Sequence, residues 1–267
     1  MPSLTLDSPE LAEEYDIAGV RQLEYGKVLV ADLGIGEGHL VLDVGCGTGF
    51  LGAYVSELVG ATGKVVGVDP LPLRVERANR KAVPRFTAQV GQAEDLSAFA
   101  DQSFDVIYLN SVFHWLPDQA RALREIRRVL KPGGRLGFTT GDKARPNAAE
   151  VVRRRALQSA GLSDHASATA TVRNKVTVED IRALFREARY RERQILSRTF
   201  VDRFGGAREV LSFMRASSFG NRFAKLSSHQ LEWVLSALEQ ELAPYRDGDV
   251  FRLERHLLYA LADRDDF

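Results

Sequence analysis

Between residues 40 and 140, short apolar runs and helix-spaced segments alternate so regularly that few architectures remain open. Phe86–Gly91 and Arg135–Thr140 read as strands. Leu40–Val44, Lys64–Asp69 and Phe104–Leu109 are short runs rich in Val, Leu and Ile that read as strands buried on both faces. Phe50–Val59, Leu73–Val83 and Leu116–Leu130 carry helical spacing between them. Strand and helix in turn predict an α/β fold: a doubly wound, mostly parallel sheet with helices on both faces and right-handed crossovers.

The flanks read differently. Residues 8–33 are helical in two pieces, opened by Ser8-Pro9-Glu10 and closed near Gly34 and Gly36; a capping hydroxyl, an early proline and an early acid form a strong start signal. After Thr140, Pro146–Ala160, Val178–Ala188, Ala207–Met214 and Ser227–Leu242 have helical spacing. Arg191–Phe200 reads as a strand, and Phe251–Ala262 as a last, antiparallel one.

Bulk properties exclude several classes. The 36 basic and 36 acidic side chains cancel, which argues against duplex nucleic acid as partner, because that footprint is clearly basic. Cys46 is the one cysteine, so neither an internal disulfide nor a multi-cysteine metal site is available. The first residues lack a basic start followed by an apolar stretch, and no apolar run approaches the roughly 18 residues of a membrane span. The default expectation is a cytoplasmic protein without a membrane partner.

Asp43-Val44-Gly45-Cys46-Gly47-Thr48-Gly49 follows the first strand and opens a helix. Glycines at such a turn permit positive φ and close approach of backbone to ligand, and the helix behind them presents unsatisfied amides. The dinucleotide fingerprint is G-x-G-x-x-G. Here the third glycine comes one residue early, and Phe50-Leu51 follows where a phosphate-binding loop needs Lys-Ser/Thr. VLDVGCGTGF, Val41–Phe50, resembles motif I of class I S-adenosylmethionine-dependent methyltransferases. The resemblance implies a Rossmann-like domain that binds S-adenosylmethionine. In it Gly45, Gly47 and Gly49 bracket the amino-acid part of the cofactor, and Asp43 orients the loop or the ammonium group.

Further positions fall in register with that resemblance. Asp69 ends the second strand, where an acid accepts from ribose hydroxyls; capping the helix after Pro70-Leu71-Pro72 would use the same side chain. Gln92-Ala93-Glu94 follows the third strand and resembles the adenine-recognising segment. Gln92 stands where an acid is usual and offers an amide oxygen instead, with Glu94 or Asp95 as other sources of the acid. Asn110–Asp118 resembles the loop after strand four in small-molecule enzymes, including the ubiquinone/menaquinone, trans-aconitate and malonyl-carrier-protein types. There Asn110 and Ser111 lie near the methionine end, and His114 and Trp115 face adenosine or substrate. Glu125, Arg128 and Lys131-Pro132-Gly133-Gly134 match a structural helix and turn. Tyr15, in the N-terminal helix, either walls the cofactor or packs on the sheet.

Taken with the resemblance, residues 1–267 form one methyltransferase domain. Residues 1–36 would be N-terminal lid helices, 37–142 the cofactor-binding core, 143–250 substrate-side helices and lid with one core strand, and 251–267 the last strand. The expected reaction is methylation of a small molecule, at a carboxylate or hydroxyl oxygen. His114, titrating near neutrality, is the candidate base, or else packs on the cofactor. Arg215, in Ser212–Phe219, is placed to clamp a carboxylate; Arg153–Arg155, Arg173, Lys175, Arg182, Arg186, Arg198, Arg203 and Arg222 read as solvated faces. A methylated protein or RNA, or a cofactor-binding module without turnover, are the alternatives. The scattered His39, His165, His229 and His256 suggest no metal. Arsenite chemistry needs several cysteines, cytosine C5 chemistry a cysteine where Asn110 stands, and adenine-amino chemistry a proline-proline-aromatic motif that the loop lacks.

Overall fold

The structure, a computed structural model, describes residues 8–163, 174–217, 223 and 225–265. Its elements are α1 (Pro9–Leu33), β1 (Leu40–Val44), α2 (Phe50–Leu58), β2 (Lys64–Asp69), α3 (Pro72–Arg80), β3 (Phe86–Val90), β4 (Phe104–Leu109), α4 (Gln119–Val129), β5 (Leu130–Gly141), α5 (Ala148–Ser159), α6 (Val178–Glu187), β6 (Tyr190–Phe204), α7 (Ala207–Ala216), α8 (Ser228–Leu242), β7 (Arg246–Asp247) and β8 (Val250–Arg264). The expected alternation is present. Two details differ: α1 is one continuous helix, and β5 begins at Leu130, taking in the Lys131–Gly134 turn through an irregularity in its register with β4.

The strands form one sheet in the order β3-β2-β1-β4-β5-β8-β6, with β7 paired to β8. β1, β2, β3, β4 and β5 are mutually parallel, and β8 runs antiparallel to β5, as the last-strand expectation had it. The order reverses between β1 and β4, which opens a crevice at the carboxyl ends of those strands.

The chain divides into two compact units, Gly19–Asp142 with Arg173–Ser197 and Leu257–Phe267, and Met1–Ala18 with Lys143–Val172 and Arg198–His256. In the first, the sheet unit, alternate residues separate by face. Leu42, Ile107, Leu109, Phe138 and Leu258 pack with Leu123 and Ile126 of α4 and Phe185 of α6. Phe138 stacks on Phe113 at 4.0 Å and meets Phe185 edge-on at 5.7 Å. The intervening residues Asp43, Tyr108 and Thr139 are buried as well. The helical unit has its own core, with Val152 of α5, Phe204 of β6, Val210 of α7, Leu238 of α8 and Leu253 of β8.

Glu125 and Arg128 do the structural work expected of them. Glu125 Oε2 accepts the Leu96 amide at 3.0 Å, and Arg128 reaches Glu125 at 2.9 Å, Asp101 at 2.7 Å and the Phe99 carbonyl at 3.0 Å. One helix therefore braces the whole β3–β4 connection. Glu125→Ala leaves the Leu96 amide and Arg128 short of a charged partner, and should cost about 1–3 kcal/mol. Urea unfolding checks this: a lower midpoint at unchanged slope is expected, and an unchanged midpoint would refute the bracing role.

Candidate functional site

Because β1–β5 run parallel, their carboxyl ends bring together the loops that the sequence had marked separately. Gly45, Gly47 and Gly49 all take positive φ, of 78°, 54° and 84°. At Gly49 a Cβ would meet Phe86 at 2.7 Å, and at Gly45 it would meet Val112 at 2.2 Å. Any other residue is therefore excluded twice, by backbone conformation and by space.

Asp69 fixes the loop. Its Oδ2 accepts the Gly47 amide at 2.9 Å and its Oδ1 the Leu71 amide at 3.0 Å. The Val68 carbonyl accepts Gly45 N–H at 2.7 Å and Cys46 N–H at 3.0 Å. The turn after β2 and the glycine loop thus share one carboxylate, and α3 itself, with Leu71 at its N-cap, has no side-chain cap. Lys81 adds a brace that sequence reading missed: its Nζ donates to the Thr48 carbonyl at 2.6 Å and lies 3.7 Å from the centre of the Phe50 ring. Nothing about a lysine late in α3 marks it beforehand.

Asp43 lies opposite Tyr108 on β4 and Gly67 on β2. It is 2% exposed. Burial pushes its carboxyl up to about 7; the Tyr108 hydroxyl partly opposes the shift and the Asp69 charge adds to it. Neither Asp43 Oδ2 nor Tyr108 Oη reaches a well-directed hydrogen bond among the described residues, so the hydroxyl stands near the carboxyl without satisfying it. Thr48 Oγ1 is likewise buried without such a partner. Buried polar atoms of this kind normally have partners, and here they flank a loop shaped for close approach. They fit a cofactor that brings a cationic amino group and a carboxylate.

The loop after β4 is held at its start by Thr139 of β5. Thr139 Oγ1 donates to Asn110 Oδ1 at 2.8 Å and accepts the Ser111 amide at 2.7 Å, while Asn110 Nδ2 donates to the Gln22 carbonyl of α1 at 2.8 Å. Ser111 has φ 61°, a left-handed conformation uncommon outside glycine. Phe113–Trp115 form a 3₁₀ turn. His114 is buried, its Nδ1 lies 3.4 Å from Thr140 Oγ1, and its ring centre is 5.1 Å from that of Trp115. After β3, Gln92 is exposed and bridges to Asp95, Ala93 is buried, and Glu94 Oε1 accepts the Asp118 amide at 3.3 Å.

Two predicted residues belong to the helical unit. Tyr15 packs against its core, and Arg215 Nη1 lies 3.7 Å from Glu14 Oε1. The same unit has a cleft of about 500 Å³ lined by Arg246 and Arg252 as well as Asp247 and Glu254. Its charges balance, and Arg252 is already 2.9 Å from Asp247. His165, Arg173, Arg222 and the Ser218-Phe219 end of the predicted substrate-side segment lie outside the described residues. Among the described residues, no helix is long and apolar enough to cross a membrane, and no three His, Cys, Asp or Glu side chains group to hold a metal ion.

Residues 42–138 match the family model described as a methyltransferase domain. An arsenite methyltransferase of Aquipseudomonas alcaligenes is 37% identical over 148 residues, 52% of this chain and 40% of the relative. A demethylmenaquinone methyltransferase of Staphylococcus aureus is 34% identical over 131 residues, 46% of this chain and 54% of the relative. A solved S-adenosylmethionine-dependent methyltransferase from Aquifex aeolicus superposes with a TM-score of 0.57 at 16% identity, covering 96% of this chain and 98% of that one. Residues 42–138 carry the similarity to a methyltransferase domain, and the sheet has the fold of the solved S-adenosylmethionine-dependent methyltransferase. The chain spans about half or less of the length of these curated relatives.

The elevated Asp43 carboxyl has a measurable consequence. An acid whose folded value rises from 3.8 to about 7 binds its proton more tightly when folded. Its contribution to stability is fully present below about pH 4 and is lost as pH rises toward 7. Asp43→Asn should therefore gain stability relative to the parent across that interval. Thermal midpoints of both proteins between pH 4 and 8 provide the check, and parallel curves would contradict the assignment.

Proposed function

We propose that this protein transfers the methyl group of S-adenosylmethionine to an oxygen of a small acceptor, with a hydroxyl as the preferred nucleophile. The observation that carries the reading is the common edge at which the glycine loop, Asp69 and the His114 turn meet. When bound, the cofactor supplies a methyl already activated on a sulfonium, so positioning and a dry cavity are the main demands on the protein.

Each side chain then has a defined task. Asp43 Oδ2, buried and unsatisfied, takes the cofactor's ammonium group, with Gly45, Gly47 and Gly49 letting the backbone close on it. Asp69 holds the loop and meets the ribose hydroxyls. The Gln92 amide, with Ala93 and Glu94, receives the adenine. Asn110 and Ser111, fixed by Thr139, border the methionine end. Trp115 faces the acceptor.

His114 accepts the hydroxyl proton as the new oxygen–carbon bond forms and the carbon–sulfur bond breaks, leaving S-adenosylhomocysteine. Arsenite is disfavoured as an acceptor. Cys46, the one thiol, is buried, and burial together with the Asp43 and Asp69 charges keeps it protonated; the thiolate is what binds soft elements.

The test is methyl transfer from labelled S-adenosylmethionine into a cell extract, separated into small-molecule, protein and RNA fractions. Label should enter hydroxyl-bearing small molecules, whereas label confined to protein or RNA would overturn the reading. With the acceptor in hand, His114→Ala should lower turnover about 100-fold or more. An unchanged rate at saturating cofactor would remove His114 from the chemistry.

A further inference from the structure

The turn that presents His114 and Trp115 is held locally by two backbone bonds, Trp115 N–H to the Val112 carbonyl at 2.7 Å and Leu116 N–H to the Phe113 carbonyl at 3.3 Å. A 3₁₀ segment of three residues gains little from bonds of this geometry. Further donors reach the carbonyls of the turn from two residues elsewhere. The Asn174 amide donates to the His114 carbonyl at 2.9 Å, and Asn174 Nδ2 donates to the Leu116 carbonyl at 2.7 Å. Gln119 Nε2, in the first turn of α4, donates to the Phe113 carbonyl at 3.0 Å and to the Asn174 carbonyl at 2.7 Å. Two carboxamides therefore form a closed clasp around the turn.

Both sides of the clasp are anchored. Phe113 is fully buried on the Phe138 ring. Two residues past Asn174, Val176 bridges in parallel to Asp142 at the end of β5. Immediately after it, Thr177 opens α6 with a reciprocal capping box, its side chain on the Asp180 amide at 3.2 Å and Asp180 Oδ2 on the Thr177 amide at 2.9 Å. The clasp thus joins the ends of β4 and β5, the strand ends that flank the proposed acceptor.

We infer that Asn174 and Gln119 are positioning residues of the methyl-transfer site, setting the orientation of His114 and Trp115. The inference rests on the function proposed above. Asparagine suits the position because one residue supplies a backbone and a side-chain donor to carbonyls two residues apart. Aspartate has nearly the same shape but turns an acceptor toward the Leu116 carbonyl, so it breaks the clasp without creating a cavity.

The chain has two tryptophans, and Trp233 is half exposed, so Trp233→Phe leaves Trp115 as the sole emitter. In that background, Asn174→Asp should shift Trp115 emission to the red and make acrylamide quench it about twofold more efficiently, as expected of a turn released into solvent. The His114 ring cross-peak in a ¹H–¹³C spectrum should move as well. Affinity for S-adenosylhomocysteine should change less than about threefold, because the glycine loop is untouched. If Asn174→Asp does not fold, Gln119→Ala removes the opposite pair of bonds and should give the same signature. A folded variant with Trp115 emission, quenching and the His114 cross-peak all unaltered overturns the clasp. Failure of the parent protein to bind S-adenosylhomocysteine would instead strike the underlying function, and the Trp115 readout would still judge the clasp.

Discussion

The Asp69 carboxylate, shared between the Gly47 and Leu71 amides, is the contact on which the cofactor edge depends. It sits where β2 ends, and through it the position of that strand dictates the position of the glycine loop after β1. Two further amides, those of Gly45 and Cys46, close on the Val68 carbonyl one residue earlier. The loop is therefore pinned from the side and left open toward the crevice. A preorganised loop costs little to order on binding, which suits a reaction whose main demand is placement.

Buried polarity has been spent unevenly around that contact. Asp69 is satisfied by amides, while Asp43, also buried, keeps one oxygen without a well-directed partner. Burying an unsatisfied carboxyl is costly, and the group responds by holding its proton up to about pH 7. Strain of this kind is relieved by a cationic ligand, so the apo domain gives up stability at the place where binding restores it.

How much of this was legible in the sequence follows the range of the interactions. The buried strands and their helices announce themselves through local periodicity, and the glycine loop through conformations that other residues cannot adopt. The sequence suggests two pieces over residues 8–33, whereas α1 is continuous. It passes through Gly26, where a Cβ would lie 2.5 Å from Leu51 and 2.8 Å from Asn110; that glycine serves packing against distant residues. Thr139, Lys81, Gln119 and Asn174 were invisible for the same reason. Each acts on a turn remote in sequence, and no local pattern distinguishes them from surface polar residues. Asp69 stands out by its position at the end of β2, yet its grip on Gly47 becomes clear only once β1 and β2 are side by side.

The division between cofactor and acceptor has the same origin. The proposed cofactor half is built from backbone at strand ends, where local sequence dictates the turn. The proposed acceptor half is written in side chains such as His114 and Trp115, whose setting depends on long-range hydrogen bonds. The central claim is therefore that the loop held by Asp69 is a methyl-donor site. Isothermal titration of the purified chain with S-adenosylmethionine, beside a Gly47→Val variant, tests it most directly. The account predicts saturable one-to-one binding by the parent and its loss in the variant; no binding by the parent, or equal binding by both, would contradict it.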